Sequence, residues 1–96
     1  MSEDPGGPVL SCTLTIRNKR GLHARAAAKF VTLAERFGAA IDVLKDGQSV
    51  SARSIMGLMM LGAAKGDTIE IAVSGEGAEP ALAKLVGLVV DGFGED

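Results

Sequence analysis

Ninety-six residues make one domain's worth of chain, enough to bury a single core. Apolar residues account for 47% of them, and with no Trp, no Tyr and three Phe that core has to be aliphatic. A formal net charge of -2, no basic block and few aromatics exclude nucleic acid and anionic membrane as partners, and the lone Cys12 excludes an internal disulfide and every multi-cysteine metal site.

The opening MSEDPGGPVL is acidic and rich in Pro and Gly, unlike a signal peptide, and no apolar run reaches the roughly 18 residues of a membrane span. The expectation is a cytoplasmic protein in a reducing compartment. Residues 1-8 are expected to be a flexible tail and residues 9-96 a single domain.

Val9 to Arg17 alternates, with Leu10, Cys12, Leu14 and Ile16 on one face, which predicts a strand with Cys12 as a small core residue. After the turn Asn18 to Leu22 the spacing becomes helical. Ala26, Ala27, Phe30, Leu33, Ala34 and Phe37 form the apolar stripe, and Gly38 stands where a C-terminal glycine is expected. Ile41 and Val43 open a strand that runs to Asp46-Gly47, a two-residue hairpin signal, and Gln48 to Ala52 return as its partner.

Ser54 is suited to capping a two-turn helix that ends at Leu61, before Gly62. Thr68 to Ser74 alternates again as a fourth strand. Pro80 fits the first turn of a last helix whose stripe is Leu82, Leu85, Val86, Val89 and Phe93. The order is β-α-β-β-α-β-α. One-faced strands and one-striped helices satisfy their burial together as an α+β fold, a four-stranded antiparallel sheet covered on one face by three helices. The first β-α-β crossover should be right-handed.

His23, the only histidine, falls between Gly21 and the start of the first helical stripe. Its imidazole is placed beside the unpaired N-H groups of a helix N-terminus, where anions are favoured, and Arg25 adds a permanent cationic fork. A neutral imidazole is a nucleophile, and a phosphoryl group is the reaction partner these neighbours suit. With no second histidine, clustered carboxylates or Walker-type loop, the chain lacks the parts of a hydrolase, metal site or nucleotide site. On spacing alone, a histidine that merely caps a helix explains the same residues.

GLHARAAAKF, followed thirty-one residues after its histidine by SIMGLMMLGAAKGD, closely resembles the HPr family of histidine-containing phosphocarriers of the bacterial phosphoenolpyruvate-dependent phosphotransferase system. The likeness extends from Val9 to Phe93. It implies an HPr-like open-faced β-sandwich and a carrier rather than an enzyme, with no cofactor and no metal. His23 would accept a phosphoryl group on Nδ1 from phosphorylated enzyme I and pass it to an enzyme IIA protein, beside Arg25. Ser54 matches the position that an HPr kinase/phosphorylase modifies in many members. One departure stands out: the family commonly has proline where this chain has Ala26.

On the helix after Ser54, Leu58 and Leu61 point one way while Met56, Met59 and Met60 cluster on another, with Ile55 at the border. Methionines suit a surface that adapts to more than one partner. Taken alone a methionine stripe reads more readily as core, but in the family this chain resembles the helix contributes to docking, and the resemblance implies that Leu22, Ala24, Ile55, Met56 and Met59 form the docking surface of a monomer, with Lys19, Arg20 and Lys29 at its rim. Two other readings explain less. A regulatory module working through Ser54 would leave the histidine idle, and a small-ligand sensing domain of similar strand order leaves the His-Arg helix start unexplained.

Overall fold

In the computed structural model, which describes residues 8-95, the chain runs β1 (Leu10–Thr15), α1 (Ala24–Ala34), β2 (Ala40–Lys45), β3 (Gln48–Ser51), α2 (Ile55–Met60), β4 (Thr68–Ser74), α3 (Ala78–Val90) and a final 3-10 turn (Gly92–Gly94). All but Pro8 of the expected tail lies outside the described residues.

The strands form one antiparallel sheet in the order β1-β4-β2-β3. β4 separates β1 from β2, so those two run in the same direction without touching. Register aligns the apolar positions into rows: Cys12 faces Ile71, which faces Val43, which faces Val50. Such alignment gathers Leu10, Cys12, Leu14, Ile41, Val43, Val50, Ile69, Ile71 and Val73 on one face, because successive side chains alternate, while Leu44 and Ala72 share the other with Glu70 and Asp42. The first face meets the helices: α3 lies against β1 and β4, α2 beside β3, and α1 packs on α2 and α3. Phe30, Leu58, Leu85, Ile69, Ile71 and Val43 share the resulting core.

Three local expectations are corrected. Cys12 sits on the core side but is only half-buried, because β1 is an edge strand with no neighbour beyond it. Ile16, beyond the end of β1, is fully buried as its place in the row predicts, held by hydrogen bonds with the Gly66-Asp67 turn. Gly38 is not the terminator of α1 and does not take the left-handed conformation. The helix ends by tightening, with Arg36 and Phe37 amides bonded to the carbonyls of Leu33 and Ala34, and the Arg53 guanidinium donates to the Phe37 and Ala39 carbonyls. Phe93 does not continue the α3 stripe, because α3 stops at Val90 and the chain reverses through a left-handed turn.

The hairpin is as its sequence predicts: Asp46 and Gly47 have φ of 50° and 82°, both positive as a primed two-residue turn requires. Among the described residues, no helix is long and apolar enough to cross a membrane.

Candidate functional site

His23 occupies the N-cap position of α1 with extended backbone (φ -74°, ψ 177°), and its side chain makes no capping hydrogen bond. The capping explanation of this residue therefore fails. Its carbonyl accepts the Ala27 amide at 2.8 Å and starts the helix, while the amides of Ala24, Arg25 and Ala26 lie in the first turn, which has no preceding carbonyls to bind. The imidazole is free to do something else.

The turn before the helix is fixed by glycine. Gly21 has φ +63°, and a Cβ there would stand 2.2 Å from the Ala63 carbonyl oxygen, so no other residue fits without moving the backbone. The same carbonyl accepts the Leu22 amide at 2.9 Å. Leu22 is buried at 5% exposure, which removes it from the expected docking surface and makes it an anchor of the turn.

The residue that holds the ring carries no signal in the sequence. Glu95, 72 positions away, places Oε2 2.5 Å from His23 Nε2, while the buried Asn18 amide donates to Glu95 Oε1 at 3.0 Å and to the Gly21 carbonyl at 2.8 Å. Asn18, then His23, hold the Glu95 carboxyl below its ordinary range, because both hydrogen bonds favour the ionised form. A carboxylate can only accept, so Nε2 carries a proton, and in the neutral ring Nδ1 then carries the lone pair. The available nucleophilic nitrogen is Nδ1.

Glu95 reaches the ring because Gly92, Phe93 and Gly94 are successively left-handed, with φ of 65°, 58° and 75°. Left-handed Phe93 costs about 1-2 kcal/mol. Its ring is fully buried, which contributes about 1.5-3 kcal/mol and outweighs that strain. Lys29 Nζ donates to the Phe93 carbonyl at 2.7 Å, so this lysine ties down the C-terminal strap rather than rimming a docking face. The nearest thing to a sequence signal for the strap is Gly-Phe-Gly just after a helix.

Arg25 is exposed in the first turn of α1, and its guanidinium makes no hydrogen bond or ion pair among the described residues. It makes no hydrogen bond to His23 and lies within one turn of it. Ala26 is fully buried, and the helix begins normally around it, so the proline it replaces is not needed to start α1. Unlike proline, Ala26 keeps its N-H.

Ser54 caps α2 as expected, its Oγ accepting the Gly57 amide at 2.9 Å. The faces of α2 divide as the periodicity predicts: Leu58 and Leu61 are buried, while Ile55, Met56, Met59 and Met60 are 39%, 71%, 44% and 75% exposed. Ala24 is exposed too.

Residues 10–91 match the family described as PTS HPr component phosphorylation site. Among relatives, the chain is 43% identical over 81 residues to phosphocarrier protein HPr of Cupriavidus necator, covering 84% of this chain and 91% of that one. It is 41% identical over 85 residues to phosphocarrier protein NPr of Escherichia coli, covering 88% and 94%. The crystal structure of HPr-C-His from Thermoanaerobacter tengcongensis superposes with a TM-score of 0.87 at 44% identity, covering 91% of this chain and 98% of that one.

Proposed function

Because the chain belongs to the HPr family, the phosphocarriers of the phosphotransferase system, we propose that His23 is the phosphoryl acceptor and that its Nδ1 takes the group from phosphorylated enzyme I and hands it to an enzyme IIA protein. A phosphocarrier is a transiently modified intermediate, not a turnover enzyme. The observation that carries the assignment is the 2.5 Å contact between His23 Nε2 and Glu95.

In the transfer, the Nδ1 lone pair attacks phosphorus while the donor's N-P bond breaks and its electrons return to the donor's imidazole. No proton need move on His23. The ring becomes cationic with its proton still on Nε2, and the Glu95 carboxylate is already positioned against that charge. The attached phosphate then lies beside the first-turn amides of α1, and Arg25 closes on its oxygens. The reverse sequence releases the group to the acceptor.

Ser54 is proposed as a regulatory site for an HPr kinase/phosphorylase. A phosphate of roughly -1.5 to -2 charge there is tolerated by the start of α2 but sets charge beside the exposed methionines, where an apolar partner would dock. The docking surface is proposed to comprise Ala24, Ile55, Met56 and Met59, on a monomeric domain spanning residues 9-96 and acting in the cytoplasm.

The test is to mix the purified chain with phosphoenolpyruvate and enzyme I. Gain of one acid-labile phosphoryl group, absent from His23→Ala, is expected. No gain with a matched enzyme I would favour the regulatory module with an idle histidine. For Ser54, an acid-stable phosphate formed with ATP and the kinase should disappear in Ser54→Ala, and equal labelling of that variant would reject the site.

A further inference from the structure

On the flank of α1 that faces α3 there is an open groove of about 440 Å³, a volume within the range of small-molecule sites. Its floor is apolar, from Leu33 and Leu88, and its rim carries Arg25, Lys29, Arg36 and the hydroxyl-bearing Thr32. No acidic residue lines it, although the whole chain is net negative. Arg25 and Arg36 have no hydrogen bond or ion pair from their guanidinium groups among the described residues. Lys29 is fixed in place by its bond to the Phe93 carbonyl.

The cations sit at two ends. Arg25 and Lys29 stand one turn apart on α1, and Arg36 lies just beyond the helix end, seven residues after Lys29. Between them runs the apolar floor. We infer that this groove binds a small organic phosphate with anionic groups at both ends and an apolar body between them. Guanidinium forks suit phosphate oxygens, and the separation of the charged ends selects length. The floor favours a carbon skeleton over a bare inorganic ion.

Because Arg25 belongs both to this groove and to the proposed phosphate seat of His23, a bound ligand competes for it and slows phosphoryl transfer. That second consequence rests on the carrier reading; binding itself does not. The two can fail separately.

The test is a titration of the unphosphorylated full chain, followed by the amide resonances of Thr32, Leu33, Arg36 and Leu88. The probes are hexanediol bisphosphate, phenyl phosphate and inorganic phosphate. Saturable shifts at these four amides are expected, tightest with the bisphosphate and weakest with inorganic phosphate, and Arg36→Ala should weaken the bisphosphate about tenfold. The same variant should be phosphorylated at His23 at the wild-type rate, and about tenfold more bisphosphate should be needed to slow that rate. Absence of saturable shifts, equal binding of inorganic phosphate and bisphosphate, or unchanged binding in Arg36→Ala would each overturn the proposal.

Discussion

Glu95 determines which nitrogen of His23 is available, because the carboxylate occupies Nε2 and leaves the imidazole to present Nδ1. Replacing Glu95 by Gln keeps an acceptor but removes the charge that balances the ring once phosphorus is attached. A charged hydrogen bond is worth roughly 1 kcal/mol more than a neutral one, so the transfer rate from enzyme I should fall about five- to tenfold, measured by rapid quench. The folded-state pKa of Glu95 is depressed, so its contribution to stability is present above the unfolded carboxyl value and is lost as pH falls through the folded one. Carbon-resolved NMR of the Glu95 carboxyl should show a midpoint below that of a free glutamate, and Asn18→Ala should raise it. The placement of His23 and Arg25 at the start of α1 was legible from the glycine turn and the helical stripe that follows it. Glu95 was not, since nothing local marks an acid whose partner lies 72 residues earlier.

Elements were largely readable from periodicity, and the misses fall where tertiary contact overrides local pattern. Phe93 recurs at helical spacing after Val89, yet two flanking glycines let the chain turn and bury that ring from another direction. Gly38 looked like a stop, but the last carbonyls of α1 are met by the amides of Glu35, Arg36 and Phe37, and the connection beyond is held by Arg53, which donates to the Phe37 and Ala39 carbonyls. Gly21 is the opposite case, a turn glycine whose necessity is steric as well as conformational. Gly21→Ala combines left-handed strain with a clash against the Ala63 carbonyl and should cost about 2-3 kcal/mol, seen as a lowered denaturant midpoint at unchanged m-value. On α2 the division into a buried Leu58 face and an exposed methionine face was legible from angles alone, because a short helix on a sheet buries only one side. Met56→Glu should leave thermal stability within about 0.5 kcal/mol and weaken binding of enzyme I severalfold; unchanged affinity would remove Met56 from the docking surface.

At the scale of the whole molecule, the sheet and the three helices form a platform whose function is to bring distant segments to one point. The Asn18-Leu22 turn, the α1 N-terminus and the C-terminal strap converge on a single imidazole, and the Ala63-Asp67 loop braces them from behind. The order of elements and the one-sided sheet followed from sequence because every strand alternates and every helix has one stripe. The convergence did not, because it depends on which loops meet. Phe93→Ala should show the coupling, with a loss of about 3-5 kcal/mol in unfolding free energy together with slower transfer at His23, whereas a core truncation remote from the strap should lower stability alone. The most direct test of the site is to phosphorylate the chain with enzyme I and assign the modified nitrogen by nitrogen-15 NMR of the imidazole. Phosphate on Nδ1, with Nε2 still protonated, is the expected result; phosphate on Nε2 would contradict the role given to Glu95.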